Sequence, residues 1–220
     1  MKLVLASGSQ RRRELLTMCG YDYEIIVSNA DETIDENDPE SFVRALSFRK
    51  AKDVFDRLFE AGRRDFAVIG SDTVVAFQKD GETKPVIIGK PKDAKDAVRI
   101  LSMLSGKTHR VFTGVSVIAD ISDENAAAQC SIREKAEIQT ECSITEVTFE
   151  TLSPDEIADY VNSGDPLDKA GSYGIQGPFG MFVREIRGNY FTVIGMPIPV
   201  LYKMLKKIGI LPHGFYERIE

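Results

Sequence analysis

The sequence predicts an α/β fold, and its length suits one large domain or two small ones. Three observations lead there. Short apolar runs of strand character alternate with stretches of helical periodicity. No internal repeat, low-complexity tract or linker interrupts the alternation. A chain of 220 residues, 43% hydrophobic and 28% charged, can bury a core without disulfides or a structural metal.

Lys2 to Ala6 reads as a short buried strand, and Arg11 to Cys19 as a helix beginning after Ser9. Tyr23 to Val27 is a second strand. Asp38-Pro39 opens a long helix, with aspartate as N-cap and proline in the first turn. Phe42, Leu46, Ala51, Phe55, Leu58 and Phe59 give it an apolar stripe that ends near Ala61. Phe66 to Ile69 is a buried strand followed by Gly70-Ser71-Asp72. Thr73 to Phe77 and Pro85 to Ile88 flank Lys79-Asp80-Gly81-Glu82, a hairpin signal.

Asp93 caps a helix that runs to Leu104 and stops at Ser105-Gly106. His109 to Ala119 and Glu137 to Phe149 are long strands, with a polar surface loop at Ile121 to Gln129. Ser153-Pro154-Asp155-Glu156 starts a helix with Glu156 in the capping-box position. Asn162 to Gly180 is rich in glycine and proline. Met181 to Ile186 is a strand, and Pro197 to Lys207 a helix.

Charge and cysteine content exclude several functions. Lys+Arg total 28 against 34 Asp+Glu, a net charge of −6, so no chain-wide basic excess draws the protein to nucleic acid. Cys19, Cys130 and Cys142 are widely spaced and form no C-x-x-C pair; scattered thiols fit a reducing compartment. The start lacks the order of a signal peptide, and no stretch of about 18 apolar residues predicts a membrane span. The expected location is the cytoplasm. His109 and His213 give no HExxH motif, and no GxSxG elbow is present. His109, at a strand start, reads as structural.

Five segments carry candidate chemistry. In Ala6-Ser7-Gly8-Ser9-Gln10-Arg11-Arg12-Arg13 a strand passes through hydroxyl residues into a helix. It is either a serine-capped helix with a solvated basic face, or an anion site. In the latter, helix amides, Ser7, Ser9, Arg11 and Arg12 would face phosphate. It is not a Walker A loop. Asp72, in Gly70-Ser71-Asp72-Thr73, is either a turn aspartate or a carboxylate placed to bind a divalent cation or take a proton from water. Glu32, in an acidic stretch from Asp31 to Glu40, either joins Asp72 on a metal or belongs to a solvated loop. Lys50, Lys90 and Lys169 are either phosphate neutralisers or surface lysines. Gly164 to Gly180 suits a backbone-rich loop over a flat ligand, where Gln176 offers donor and acceptor for a base edge and Tyr173 a stacking ring; the alternative is a structural Ω-loop.

Taken together, LVLASGSQRRRELL, IGSDTVV, GKPKDAKDAVRILSMLSGKTHRVFTGV, TEVTFETLSPDEIADYV, GDPLDKAGSYGIQG and VIGMPIPVL resemble the Maf family of nucleoside triphosphate pyrophosphatases in order and across essentially the whole chain. The resemblance implies a single domain over residues 1–220 with a fold similar to inosine triphosphate pyrophosphatases, a mixed twisted sheet with flanking helices and two lobes around a substrate cleft. It implies hydrolysis of a nucleoside triphosphate to monophosphate and pyrophosphate, a divalent cation (Mg²⁺ or Mn²⁺), and often a homodimer. Ser7, Arg12, Glu32, Lys50, Asp72 and Lys90 match the family's polar active-site positions, with Asp72 the proton acceptor. Glu32 and Asp72 are the expected metal ligands, and Lys169 and Ser9 are added as substrate contacts. Arg11, Thr73 and Gln176 match the branch that acts on dTTP and UTP, whereas the 7-methyl-GTP branch differs at all three. Modified pyrimidine triphosphates are further expected substrates. Gln10 departs from the family's proline. The rival to an enzyme is a nucleotide- or nucleic-acid-binding regulator of cell division, suggested by the SQRRR patch. The acidic total opposes it, and no stable nucleic-acid or membrane binding is expected.

Overall fold

The computed structural model describes residues 1–78, 81–121 and 136–214. The turn residues Lys79 and Asp80, almost all of the Ile121–Gln129 loop, and Cys130 lie outside the described residues. A seven-stranded mixed sheet is built from β1 (Lys2–Leu5), β2 (Tyr23–Ile25), β3 (Phe66–Phe77), β4 (Val86–Ile88), β5 (Thr108–Asp120), β6 (Ala136–Phe149) and β7 (Val183–Arg187), in the order β2-β1-β3-β5-β6-β7, with β4 also on β3. The β1 pairings to β2 and β3 are parallel; the other pairings are antiparallel. Helices α1 (Gln10–Met18), α2 (Pro39–Glu60), α3 (Ala94–Leu104), α4 (Pro154–Asn162), α5 (Tyr190–Ile194) and α6 (Ile198–Lys207) flank it. None of the described helices is long and apolar enough to cross a membrane.

The expected caps are present. The Asp38 and Asp93 side chains accept from the Ser41 and Asp96 amides, both at 2.8 Å, and Ser153 with Glu156 completes a capping box. Three expectations are corrected. Strand β3 does not end at Ile69: it continues through Gly70-Ser71-Asp72, because β5 pairs with it from Ala67 to Ala76 and supplies the hydrogen bonds a turn would forgo. The segment after Gly164 is a chain of short 3-10 turns, so β7 begins at Val183 rather than Met181. Helix α5, unforeseen, is a single turn or so between β7 and α6.

Strand β3 creates the site. On the side away from β5 its first residues pair with β1, up to Leu5↔Ile69, and its last with β4, from Val75↔Ile88. Between these, the side away from β5 has no strand partner among the described residues, and the sheet opens there. Its side chains alternate between faces. Ala67 and Ile69 pack under α1 and α6, Val75 and Phe77 under α3 and α4, and the polar Ser71 and Thr73 fall between those two apolar groups. These groups, sharing β3 and β5, are the two lobes.

The other face of β3 meets α2. Its glycines let the helix come close: a Cβ on Gly70 would lie 2.1 Å from the Ser47 carbonyl oxygen, and one on Gly114 of β5 2.2 Å from that of Val43. Val43, Ser47 and Val54 are buried on the α2 stripe that faces the sheet, and Lys50 falls on the same stripe. A lysine is thereby carried into the gap in the sheet, next to Asp72.

Candidate active site

A cleft of about 810 Å³ opens at the gap in the sheet. Every residue singled out from the sequence lines it: Ser7, Ser9, Arg11, Arg12, Glu32, Lys50, Asp72, Thr73, Lys90, Lys169 and Gln176. Its volume falls within the usual range for small-molecule sites, roughly 300–1,000 Å³. Arg11, Arg12, Lys50, Lys90 and Lys169 stand against Glu32, Asp72 and Asp168, so cations outnumber carboxylates in a chain whose net charge is −6.

At one end, β1 runs into α1 through Ser7-Gly8-Ser9. Helix α1 starts at Gln10, so glutamine serves where the family usually has proline. Ser9 is the N-cap residue, but its side chain makes no cap hydrogen bond, and its amide donates instead to Ser7 Oγ at 3.2 Å. No acid stands in the first turn of α1. The side-chain cap of the serine-capped alternative is not made.

Arg12 is fixed from three sides. Its Nε donates to the Gly195 carbonyl oxygen at 2.8 Å and Nη1 to Ser7 Oγ at 3.1 Å, with a long contact from Nη2 to Thr73 Oγ1 at 3.5 Å. Gly195 terminates α5 with φ +113°, a left-handed cap that suits glycine. Burial lowers the Arg12 pKa, Asp72 and Glu32 oppose the fall, and Arg11 adds to it. A buried cation beside another cation is stabilised by an anion brought into the cleft.

The centre of the site is Asp72–Lys50–Glu32. Lys50 Nζ lies 2.7 Å from Asp72 Oδ1 and 3.0 Å from Glu32 Oε1. The Lys50 and Asp72 side chains are each 12% exposed, so the surface-lysine and turn-aspartate alternatives do not hold; Glu32 is 66% exposed at the rim. Thr73, on the opposite face of β3 from Asp72, bonds Thr113 Oγ1 at 2.9 Å, and Thr113 donates to the Thr192 carbonyl at 2.7 Å, tying β3 to α5.

At the far end, Lys169 is half-buried, its side chain 13% exposed. Its Nζ donates to the Asp165 carbonyl at 2.5 Å and pairs with Asp165 Oδ1 at 3.1 Å and Asp168 Oδ1 at 2.7 Å. Asp165 is held in turn by the Tyr160 hydroxyl at 2.5 Å. Asp168 reaches back to Arg11 at 3.7 Å, bridging the two rims of the cleft. Partial burial raises the Asp168 carboxyl, but the hydrogen bond and charge of Lys169, with Arg11, outweigh it and keep the group below the usual carboxylate range. Lys90 and Gln176 are exposed at the cleft.

Tyr173 departs from its expected stacking role. It is buried among His109, Phe149 and Phe179, with its hydroxyl 2.9 Å from His109 Nε2. His109 is structural, as expected: burial pushes it down to about 3. Gly171 and Ser172 carry φ of +72° and +61°, and a Cβ at Gly171 would meet Val75 at 2.6 Å, so this loop is pressed onto β3 in a strained form.

Glu32 and Asp72 converge on one cationic point, now filled by the Lys50 ammonium. Two hard oxygen donors facing one point fit Mg²⁺ or Mn²⁺, which take one or two carboxylates and complete their shell with substrate phosphates and water. No cluster of three or more His, Cys, Asp or Glu suited to a metal occurs among the described residues.

Sequence reasoning missed Asp168, Asp165 and the Gly195 carbonyl. The first two were legible as acids flanking Lys169 in the GDPLDKAG run. The third is a main-chain atom that no side-chain motif reports.

Comparison with known proteins identifies the family. A family profile described as Maf-like protein matches residues 2–208. A dTTP/UTP pyrophosphatase of Agathobacter rectalis is 40% identical over 217 residues, covering 95% of this chain and 98% of the relative. One from Bacillus pumilus is 43% identical over 212 residues, covering 96% and 98%. The solved Ham1 protein of Staphylococcus aureus aligns with 94% of this chain and all of its own at 13% identity and a TM-score of 0.48. With the profile spanning all but the ends and relatives sharing two residues in five, the chain belongs to the Maf family.

Proposed function

We propose that the cleft hydrolyses nucleoside triphosphates, dTTP and UTP foremost, to the monophosphate and pyrophosphate. The observation that carries this is the Asp72–Lys50–Glu32 cluster at the gap in the sheet, facing a rim of further cations. The activity of the relatives, dTTP/UTP pyrophosphatase, supports the pyrimidine preference.

In this reading Ser7, Arg12, Lys90 and the first amides of α1 bind the phosphate oxygens. Asp72 orients a water towards the α-phosphorus and accepts its proton as the P–O bond to the leaving group breaks. Lys50 holds that carboxylate against Glu32, and Lys90 with Lys169 neutralises the departing pyrophosphate. Positioning and electrostatics supply most of the rate, as is general for phosphoryl transfer. Glu32 and Asp72 would hold the divalent cation, Mg²⁺ or Mn²⁺, which when bound neutralises phosphate charge as a Lewis acid. Arg11, Thr73 and Gln176 select the base, and Ser9 lies beside the phosphates.

Free nucleotides in the cytoplasm, rather than nucleic acid, are the proposed partners, supported by the acidic total and by the free thiols of Cys19 and Cys142. The homodimer rests on the family resemblance alone and is measured by light scattering. The function is tested by pyrophosphate release from dTTP, UTP, CTP, dGTP and 7-methyl-GTP, with Mg²⁺, with Mn²⁺ and with chelator. Metal-dependent release, fastest from dTTP and UTP, is expected. Preference for 7-methyl-GTP would refute the base assignment, and silence from folded protein would refute the hydrolase.

A further inference from the structure

Glu32 sits in a segment, residues 26–38, that forms no helix or strand. Neither a sheet ladder nor a helix therefore fixes its carboxylate, which nevertheless lies 3.0 Å from Lys50 Nζ. The restraint comes from the outer face of α2. Arg49, Asp53 and Arg57 recur every fourth residue and so form one row along the helix. Arg57 Nη2 donates to the Val27 carbonyl at 2.9 Å. Asp53 Oδ2 accepts from the Asn29 amide at 2.8 Å and from Ser28 Oγ at 3.0 Å, and is itself held by Arg57 at 3.1 Å. Arg49 Nη1 donates to the carbonyls of Asp31 at 2.8 Å and Thr33 at 2.9 Å, the two that flank Glu32. Between those carbonyls the Thr33 amide closes a tight turn on Asp31 Oδ1 at 2.9 Å.

We propose that Arg49 is a positioning residue: by gripping the carbonyls on both sides of Glu32, it holds that carboxylate against Lys50, and Asp53 and Arg57 extend the clasp along the segment. The inference rests on the proposed role of Glu32 in the cleft. It explains why a rim carboxylate 66% exposed points inward rather than into solvent. Arg49 and Lys50 are neighbours in sequence but on different faces of α2. One turn of helix therefore sets both the cation and the carboxylate that meets it.

The test is a double-mutant cycle in the full chain. Arg49→Leu should lower kcat by about tenfold to a hundredfold, the size expected when a reacting group is misplaced from a distance. Its melting temperature should stay near that of wild type. In a Glu32→Gln background the same change should have almost no effect, because the group it positions is gone. Arg49→Lys, retaining donors, should recover part of the loss, and it serves in the cycle should Arg49→Leu fail to fold. Amide exchange at residues 29–33 should quicken in Arg49→Leu while that of β3 stays slow. Unchanged turnover, or a loss of equal size with and without Glu32, would overturn the proposal, as would unchanged exchange in the segment. The exchange arm needs no substrate, so silence of the wild-type enzyme on all nucleotides would sink the function while leaving the clasp testable.

Discussion

Replacing Asp72 by asparagine removes a charge and a proton acceptor while keeping the shape of the side chain. Lys50 Nζ is 2.7 Å from Asp72 Oδ1 and retains Glu32 at 3.0 Å, so the amide leaves the lysine with one carboxylate and a neutral acceptor. The structural cost is the difference between a charged and a neutral hydrogen bond, about 1 kcal/mol. For a chain of this size that is a fall in Tm of about 2–4 °C. The catalytic cost is far larger. A positioned acid–base group contributes about 10²–10⁴ in rate, or about 3–5 kcal/mol of barrier. At saturating Mg²⁺, which offsets the weakened metal site, nucleotide binding should not suffer, since the variant removes a negative charge from a phosphate site. Asp72→Asn should therefore lose at least a hundredfold in kcat on dTTP with KM unchanged or lower, while thermal unfolding stays cooperative. Turnover within tenfold of wild type would refute the assignment of Asp72 as proton acceptor. A raised KM with unaltered kcat would make it a binding group instead.

Other consequences follow from the same geometry. Gly70→Ala places a Cβ 2.1 Å from the Ser47 carbonyl oxygen and 2.7 Å from the Ala51 nitrogen, so α2 must move off the sheet. The expected cost is about 1–3 kcal/mol, read as a lower Tm, with activity falling as Lys50 leaves Asp72; a wild-type Tm would contradict the close approach. His109, pushed down to about 3 in the folded chain, stays neutral there while the unfolded chain takes up a proton below its ordinary value near 6.5. Its contribution is present above pH 6.5 and is lost as pH falls towards about 3, at about 1.4 kcal/mol per pH unit. Urea unfolding at pH 7 and pH 5 should show wild type losing about 2 kcal/mol more than His109→Gln; equal losses would mean His109 is not buried neutral. Gln176→Glu should change the dTTP-to-dGTP ratio of kcat/KM by about tenfold through one altered base-edge contact, within the range of about 1–3 kcal/mol for such pairs. Equal loss on both nucleotides would remove Gln176 from base selection.

Most of the fold was legible because its elements are long or sharply capped. Helix α2 declared itself through Asp38-Pro39 and its stripe, and α4 through Ser153 and Glu156. What escaped depended on partners distant in sequence. Gly70-Ser71-Asp72 is locally a turn signal, yet β5 and α2 make it strand: glycine admits the helix, the single Ser71 hydroxyl hydrogen is shared between the Gly114 and Gly195 carbonyls at 3.0 and 2.9 Å, and Asp72 meets Lys50. Helix α5, Tyr190–Ile194, is too short to show a period.

The site residues were named from motif order, and the cleft gathers all of them. Their environments were not legible. Lys50 looks like any surface lysine until α2 is laid against β3, and nothing in the acidic run around Glu32 announces the clasp from Arg49. Asp168, joined to Arg11 at 3.7 Å and Lys169 at 2.7 Å, occupies cations that an incoming nucleotide would use. Side-chain identity is local; which charge faces which is set by topology.

The most direct measurement follows the oxygen. Turnover of dTTP in ¹⁸O-labelled water, with products separated and weighed by mass spectrometry, reports which phosphorus is attacked. Water oriented by Asp72 towards the α-phosphorus predicts one ¹⁸O in the thymidine monophosphate and unlabelled pyrophosphate. Label in the pyrophosphate, or release of orthophosphate, would contradict the account.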